Sequence, residues 1–157
     1  MLYVGKNSIM KVKDIFKSKK NDSTSEYVGV FVGKDGSFAF DAISEKRYKG
    51  ILTGSKIVAG FVVSQKPFDD CEAVNDNNAD RLYVEGVVIS PRISDVIYDV
   101  LHDFIVINCM ERGAKWLSLK LDKNSGFAHY LASEDAYKLA GTTVEHIYFD
   151  VDVANFD

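Results

Sequence analysis

The sequence has few cysteines and no long apolar run. Its two cysteines, Cys71 and Cys109, are too few for a disulfide framework and lack the spacing of a zinc site. No stretch approaches the roughly 18 apolar residues of a membrane-spanning helix. The first residues also lack the apolar stretch and cleavage site of a secretory signal. We therefore expect reduced thiols in a cytoplasmic protein that does not contact membranes.

The three histidines do not form a metal-ligand pattern. His102 is accompanied by acidic residues on the polar side of a predicted helix, and no ligand spacing joins it to His129 or His146. The acid-rich segment 66–80 contains NDNNAD, which lacks the glycine and the distal glutamate of a calcium-binding loop. The sequence therefore predicts no metal site. Segment 66–80 suits either exposure to solvent or attraction of a cationic amine.

The composition is that of one globular domain with an uneven charge. The chain has 157 residues, 46% of them hydrophobic, so we expect a single domain over 1–157. Six lysines and one aspartate fall within the first twenty residues, although the whole chain carries a charge of −4. This basic arm would suit an anionic partner. A solvated helix face is the simpler interpretation, because no nucleic-acid-binding motif accompanies it, and nucleic-acid binding is not predicted.

The first half of the chain is predicted to form strands behind one helix. A helix is predicted to begin at Ser8, and the GKDG sequence at 33–36 is typical of a hairpin turn. The surrounding segments are β-branched, aromatic or alternating. We expect these strands to form an antiparallel meander. The predicted strands are 2–5, 27–32, 37–43 and 56–64.

The second half changes to a β-α-β-α-β pattern. A strand over 81–90 ends at Pro91, and apolar residues at helical spacing predict a long helix over 92–111, closed by Gly113. The alternating segment 116–121 predicts a second strand. A helical composition follows over 124–139, in one piece or two. Gly141 then closes that helix before a final strand over 142–151.

These elements and their local sequences resemble the cofactor-binding half of the GNAT superfamily of N-acetyltransferases. The resemblance covers residues 80–151 and is carried by four short matches. One strand ends in an apolar-x-Pro sequence, the long helix ends in ERGAK before an LSL strand, an asparagine follows that strand, and YKLAG is similar to the family's Tyr-x-Lys-Leu-Gly helix ending. The matching segments are Val87–Pro91, Glu111–Leu119, Asn124 and Tyr137–Gly141.

The resemblance implies an α/β (α+β) fold with a mixed, mostly antiparallel central sheet flanked by helices. It also implies transfer of an acetyl or acyl group from acyl-CoA, such as acetyl-CoA, to a small-molecule or protein amine. Glu85 would be the base that deprotonates the amine, and Tyr137 the acid for the leaving thiolate, with Tyr130 as its competitor if the helix register differs. Glu85 is equally suited to the solvent face of a strand, and either tyrosine to packing on the sheet. Cofactor binding would fall to Val88, Ile89, Arg92, Ser94, Val96 and Asn124.

One departure from the family pattern supports a second hypothesis. GNAT proteins usually carry two glycines where the pyrophosphate meets the start of the long helix, whereas segment 91–97 (PRISDVI) has none and adds Asp95. The alternative is therefore a catalytically inactive GNAT-fold protein that has lost the CoA site. Such a protein would serve as a binding or structural component with a protein partner or a second copy of itself, as in some bacteriophage proteins. Divergence of the strand ending at Ser90 from the strand starting at Trp116 would favour the enzyme.

Overall fold

A computed structural model describes residues 25–53, 56–71, 80–93 and 96–156. The predicted strand 2–5, the helix from Ser8 and the basic arm lie outside the described residues. The described part of the chain forms one seven-stranded sheet in the order β2-β1-β3-β4-β5-β7-β6. The strands are β1 Glu26–Val32, β2 Phe38–Ile43, β3 Ile57–Ser64, β4 Arg81–Ile89, β5 Trp116–Asp122, β6 Lys138–Thr142 and β7 His146–Asp152.

Three α-helices accompany the sheet in the described residues. They are α1 Glu45–Lys49, α2 Ile97–Glu111 and α3 Gly126–Ala132, with short 3-10 helices at Ile51–Thr53 and Val153–Phe156. The serines before α1 and α3 cap them: the backbone N–H of Arg47 donates to Ser44 Oγ, and that of Ala128 to Ser125 Oγ. Gly113 follows α2 with φ +73°, which confirms its predicted place after the long helix.

The sheet is mostly antiparallel, as predicted. Every neighbouring pair of strands runs antiparallel except β4 and β5, which are parallel and joined through α2. The predicted meander in the first half is wrong, because β1 lies between β2 and β3. Strand β1 pairs with β2 on one side and with β3 on the other, and its residues Val28 and Val30 are buried. The chain returns from β2 to β3 through α1 and the 3-10 helix Ile51–Thr53.

The predicted helix over 124–139 is also wrong beyond Ala132. Helix α3 ends there, and residues 138–142 form the edge strand β6, which pairs with β7. Backbone pairing with β7 therefore overrides the helical composition of this segment. Gly141 does not cap a helix. It lies in β6, where a Cβ atom would be 2.9 Å from Cys71 Sγ.

The two faces of the sheet differ in polarity. On the core face, alternate residues of β4 and β5, such as Leu82 and Leu119, pack with residues of α2 and α3, such as Phe104 of α2. The residues between them point to the opposite face, which we call the open face. Side chains of β4, β5 and β7 on the open face include Arg81, Glu85, Ser118, Lys120, Asp122 and His146. This face also carries a small aromatic cluster of Phe68, Tyr83 and Tyr148.

Candidate functional site between strands β4 and β5

The parallel strands β4 and β5 are paired over only part of their length. Their register runs from Arg81 opposite Trp116 to Val84 opposite Leu119. Beyond this point β4 continues along β3, and β5 continues along β7. The two strands therefore diverge at their carboxyl ends and open a cleft in the middle of the sheet.

A bulge in β4 marks the point of divergence. Gly60 lies opposite Val88, whereas Val62 lies opposite Glu85, so β4 has one residue more than β3 in this interval. Gly86 adopts φ +61°, a conformation that favours glycine. The Tyr48 hydroxyl donates a hydrogen bond to the Gly86 carbonyl. The bulge is thus fixed by a side chain from α1.

A buried polar cluster holds the other end of the two strands together. The Arg81 guanidinium contacts the Asp150 carboxylate and donates to Ser118 Oγ at 2.7 Å, and Ser118 Oγ donates to Asp150 Oδ1 at 2.8 Å. The Arg81 guanidinium carbon also lies 5.5 Å from the centre of the Trp116 ring. These contacts join β4, β5 and β7 where β4 and β5 are paired. The opening is therefore confined to the carboxyl ends of these strands.

Three neighbouring cavities lie along the opening between β4 and β5. The cleft cavity, about 380 Å³, lies between the ends of β4 and β5 and the starts of α2 and α3. The junction cavity, about 230 Å³, lies on the open face beside the bulge. The polar cavity, about 390 Å³, lies between segment 64–70 and strands β4 and β5.

The junction cavity shares lining residues with each of the other two cavities. Val87, Val88 and Asp122 line both the cleft cavity and the junction cavity. Glu85 and Lys120 line both the junction cavity and the polar cavity. One ligand in the cleft and another in the polar cavity would therefore approach each other beside Glu85.

Charged and polar groups surround the junction. His146 Nε2 lies 3.7 Å from Asp122 Oδ1, and Lys120 Nζ lies 3.0 Å from Asp70 Oδ2. Burial raises the pKa of the Tyr48 hydroxyl to about 12, with further contributions from Tyr27 and from the charges of Glu85 and Asp122. Tyr48 therefore stays protonated near neutral pH and keeps its hydrogen bond to the bulge.

Comparison with known proteins identifies this architecture. No protein-family model and no curated protein matches the sequence. Among solved structures, a spermidine N-acetyltransferase chimera that includes the Vibrio cholerae enzyme matches with a TM-score of 0.51 and 6% identity, over 94% of this chain and 78% of that chain. The chain has the GNAT fold.

Two further N-acetyltransferase structures are similar at lower scores. One, from Staphylococcus aureus Mu50, has a TM-score of 0.49 and 12% identity, over 89% of this chain and 74% of that chain. The other, PseH from Campylobacter jejuni in complex with acetyl coenzyme A, has a TM-score of 0.47 and 12% identity, over 88% of this chain and 75% of that chain.

Within this GNAT fold, several residues of the predicted site lie around the cleft. Glu85 is half-buried between the junction and polar cavities, and Val88 and Ile89 line the cleft cavity. Ser94 lies outside the described residues. The other predicted cofactor-binding residues are exposed: Arg92 follows Pro91, Val96 is the N-cap of α2, and Asn124 precedes the N-cap of α3.

The structure places Tyr137 in a different environment from Glu85. Tyr137 is buried just before β6, and its hydroxyl lies 2.6 Å from His102 Nε2. Lys138 pairs with Asp150, so Tyr137 lies toward the end of β7 that is remote from His146. Its competitor Tyr130 donates a hydrogen bond to Asp99 Oδ1 at 2.5 Å. Neither tyrosine lines the three cavities.

Four residues that shape the site were missed by the sequence-based reasoning. Ser118, Lys120 and Asp122 are alternate residues of β5 and therefore lie on the same face of the sheet. This alternation in the sequence indicates a polar face. Tyr48 and His146 come from α1 and β7. No local pattern indicates that their segments meet β4 and β5, because that meeting depends on the strand order.

The described residues contain no group of three or more His, Cys, Asp or Glu side chains placed to hold a metal ion. None of the described helices is long and apolar enough to cross a membrane.

Proposed function

We propose that this chain transfers an acyl group from acyl-CoA to an amine along the path from the cleft cavity to the polar cavity. The observation that carries the proposal is the divergence of β4 and β5 after Val84 and Leu119. Beyond Val84, the edge of β4 that faces the cleft is not paired with β5 in the described strands. Main-chain groups on such an edge can bind an extended ligand much as they would bind a neighbouring strand.

The cleft cavity fits the narrow, extended arm of CoA. Its wall includes Val88 and Ile89 from β4 and Phe127 from α3. At its outer end lie Pro91 and the start of α2, where the exposed Arg92 is the cation available to a phosphate. Bound acyl-CoA would supply an acyl group activated as a thioester. The chain's own residues would bind and orient the reactants and move protons.

Glu85 is the residue best placed to act as the base. Among the described residues, Glu85 and Lys120 are the two that line both the junction and polar cavities, so an amine in the polar cavity would meet the Glu85 carboxylate before reaching the cleft. An ammonium group must lose a proton before its nitrogen can attack a carbonyl carbon. We assign that proton to Glu85. His146 and Lys120 line the same junction, and the Tyr48 hydroxyl bonds to the Gly86 carbonyl beside it; each of these groups carries exchangeable protons.

A second candidate function is a GNAT-fold binding protein without transferase activity. Three features favour it. Segment 91–97 has no glycine, and Asp99 lies in the first turn of α2, where it opposes an incoming phosphate. Tyr98 also narrows the cleft beside Gly126. A Cβ atom added at Gly126 would lie only 2.0 Å from Tyr98 Oη.

Isothermal titration with acetyl-CoA separates the two functions. The enzyme hypothesis expects micromolar binding, weakened at least tenfold, or about 1.4 kcal/mol, by Arg92→Glu. Lys34→Glu is the matched control, because Lys34 is exposed in the β1–β2 turn outside the three cavities. The absence of heat at millimolar acetyl-CoA would contradict the proposal and support the binding protein.

A further inference from the structure

We infer that the polar cavity binds the acceptor, and that this acceptor carries a carboxylate beside its amine, as an amino acid does. The inference rests on the proposed function only in assigning the cavity to the acceptor. The nature of the ligand follows from the cavity walls. The cavity is lined by Ser25, Ser64, segment 66–70, Glu85 and Lys120.

The cavity is built from polar groups on a fixed frame. The backbone N–H of Lys66 donates to Ser64 Oγ at 2.8 Å, which fixes the turn by which segment 66–70 leaves β3. Phe68 then anchors this segment on the open face by packing against Tyr83 and Tyr148. The Lys120–Asp70 ion pair, at 3.0 Å, joins the segment to β5. Pro67 and Phe68 are the only apolar residues among the described walls.

The charges of the cavity are separated. Lys120 and Asp70 compensate each other through their ion pair. Among the described residues, Lys66 forms no ion pair, and neither does Glu85. Both line the cavity: Lys66 lies on segment 66–70, and Glu85 lies on the strand beneath it, at the junction. The cavity therefore offers the Glu85 carboxylate at the junction and the Lys66 ammonium group, with the Asp69 carboxylate, on segment 66–70.

A zwitterionic ligand matches this separation. With its ammonium beside Glu85, an amino acid would direct its carboxylate toward Lys66, and each charge would meet its opposite. A simple diamine would offer no carboxylate to Lys66, and an uncharged aromatic amine would find little apolar wall. Asp69, which also lines the cavity, further favours an amino acid with a basic side chain.

Matched ligand pairs test the inference by kinetics. Acyl transfer from acetyl-CoA is measured with L-lysine against cadaverine, L-ornithine against putrescine and L-leucine against isopentylamine. We expect kcat/KM to be at least tenfold higher for each amino acid. Lys66→Met should abolish that preference, and Lys66→Glu should reverse it for the two diamines. Lys34→Met, at an exposed lysine in the β1–β2 turn, should leave the preference unchanged.

Binding without a donor makes the test independent of transferase activity. In amide NMR spectra, the amino acids should shift the signals of Lys66, Phe68 and Lys120, and the matched amines should shift them at least tenfold less at equal concentration. Equal shifts from both ligands, or no shift from any amino acid, would overturn the inference. Amino-acid binding without any acyl transfer would support the inference while contradicting the proposed function.

Discussion

The Tyr48 hydroxyl donates a hydrogen bond to the Gly86 carbonyl, and this contact links helix α1 to the bulge at which β4 leaves β5. Tyr48 belongs to the first half of the chain, whereas the bulge belongs to the half whose sequence resembles GNAT proteins. The candidate site is therefore a product of both halves. Residues 80–151 alone do not contain all of its parts.

Replacing Gly86 tests this contact through stability. Gly86→Ala should lower the free energy of unfolding by more than Gly36→Ala. Both positions have positive φ, so each alanine should cost about 1–2 kcal/mol from backbone strain. At Gly86 the new Cβ would also lie 2.6 Å from Tyr48 Oη, whereas at Gly36 nothing lies within 4 Å. Chemical denaturation of both variants gives the difference, which we expect to be about 1 kcal/mol or more.

The same substitution in a Tyr48→Phe background separates the steric part from the strain. Without the hydroxyl, the nearest atom of the ring would be Cζ at 3.6 Å, so the extra cost at Gly86 should shrink. Tyr48→Phe alone should cost about 1 kcal/mol for the lost hydrogen bond. If the costs of the two substitutions simply add, the contact does not hold the bulge.

Glu85→Gln should reduce acyl transfer without affecting donor binding. Glutamine keeps the shape of the side chain but cannot accept the ammonium proton, so we expect kcat/KM to fall by about 10²–10⁴. The Kd for acetyl-CoA, measured by titration, should stay within twofold. Glu134→Gln provides the control, because Glu134 is exposed and lines none of the three cavities. A Glu85→Gln variant with full activity would remove Glu85 from the mechanism.

Val88→Phe should obstruct the donor cleft. Val88 lines both the cleft and junction cavities and is half-buried, so a larger side chain would occupy ligand space rather than the core. We expect the Kd for acetyl-CoA to rise at least tenfold, with a small change in the melting temperature. Val32→Phe, at a 41% exposed position at the end of β1, should bind as the unmodified chain does. Unchanged binding by Val88→Phe would place the donor elsewhere.

His102 should make stability depend on pH. Burial lowers its pKa from 6.5 to about 4, although Asp99 acts in the opposite direction. Protonation of His102 therefore favours the unfolded chain. The stability gained from keeping His102 neutral is fully present above pH 6.5 and is lost as the pH falls toward 4. Between pH 7.5 and 5.5 the loss should be about 1 kcal/mol.

Denaturation at both pH values checks this expectation with two variants. His102→Gln keeps a polar partner for the Tyr137 hydroxyl but does not titrate, so its stability should change less over this interval. His129→Gln alters an exposed histidine of α3 and should retain the full change. Equal pH dependence in His102→Gln and the unmodified chain would contradict the assignment.

The second half of the fold was largely accessible from the sequence, because its signals are local. Hydrophobic spacing gave α2, Gly113 marked its end, and alternation gave β4 and β5. The segment 133–139 does not form the predicted helix. Its residues favour a helix locally, but β6 is stabilised by pairing with β7, a partner that no local pattern reveals.

The candidate site divides in the same way. The sequence by itself determined that Glu85 lies on a strand before Pro91, that a long helix follows, and that segment 91–97 lacks glycine; each depends only on neighbouring residues. Tertiary structure alone decided that β4 parts from β5 after Val84 and that Tyr48, Lys120 and His146 gather beside Glu85. It also placed Tyr137 against His102. Strand order and register set these proximities, and both depend on the packing of the whole sheet rather than on local propensity.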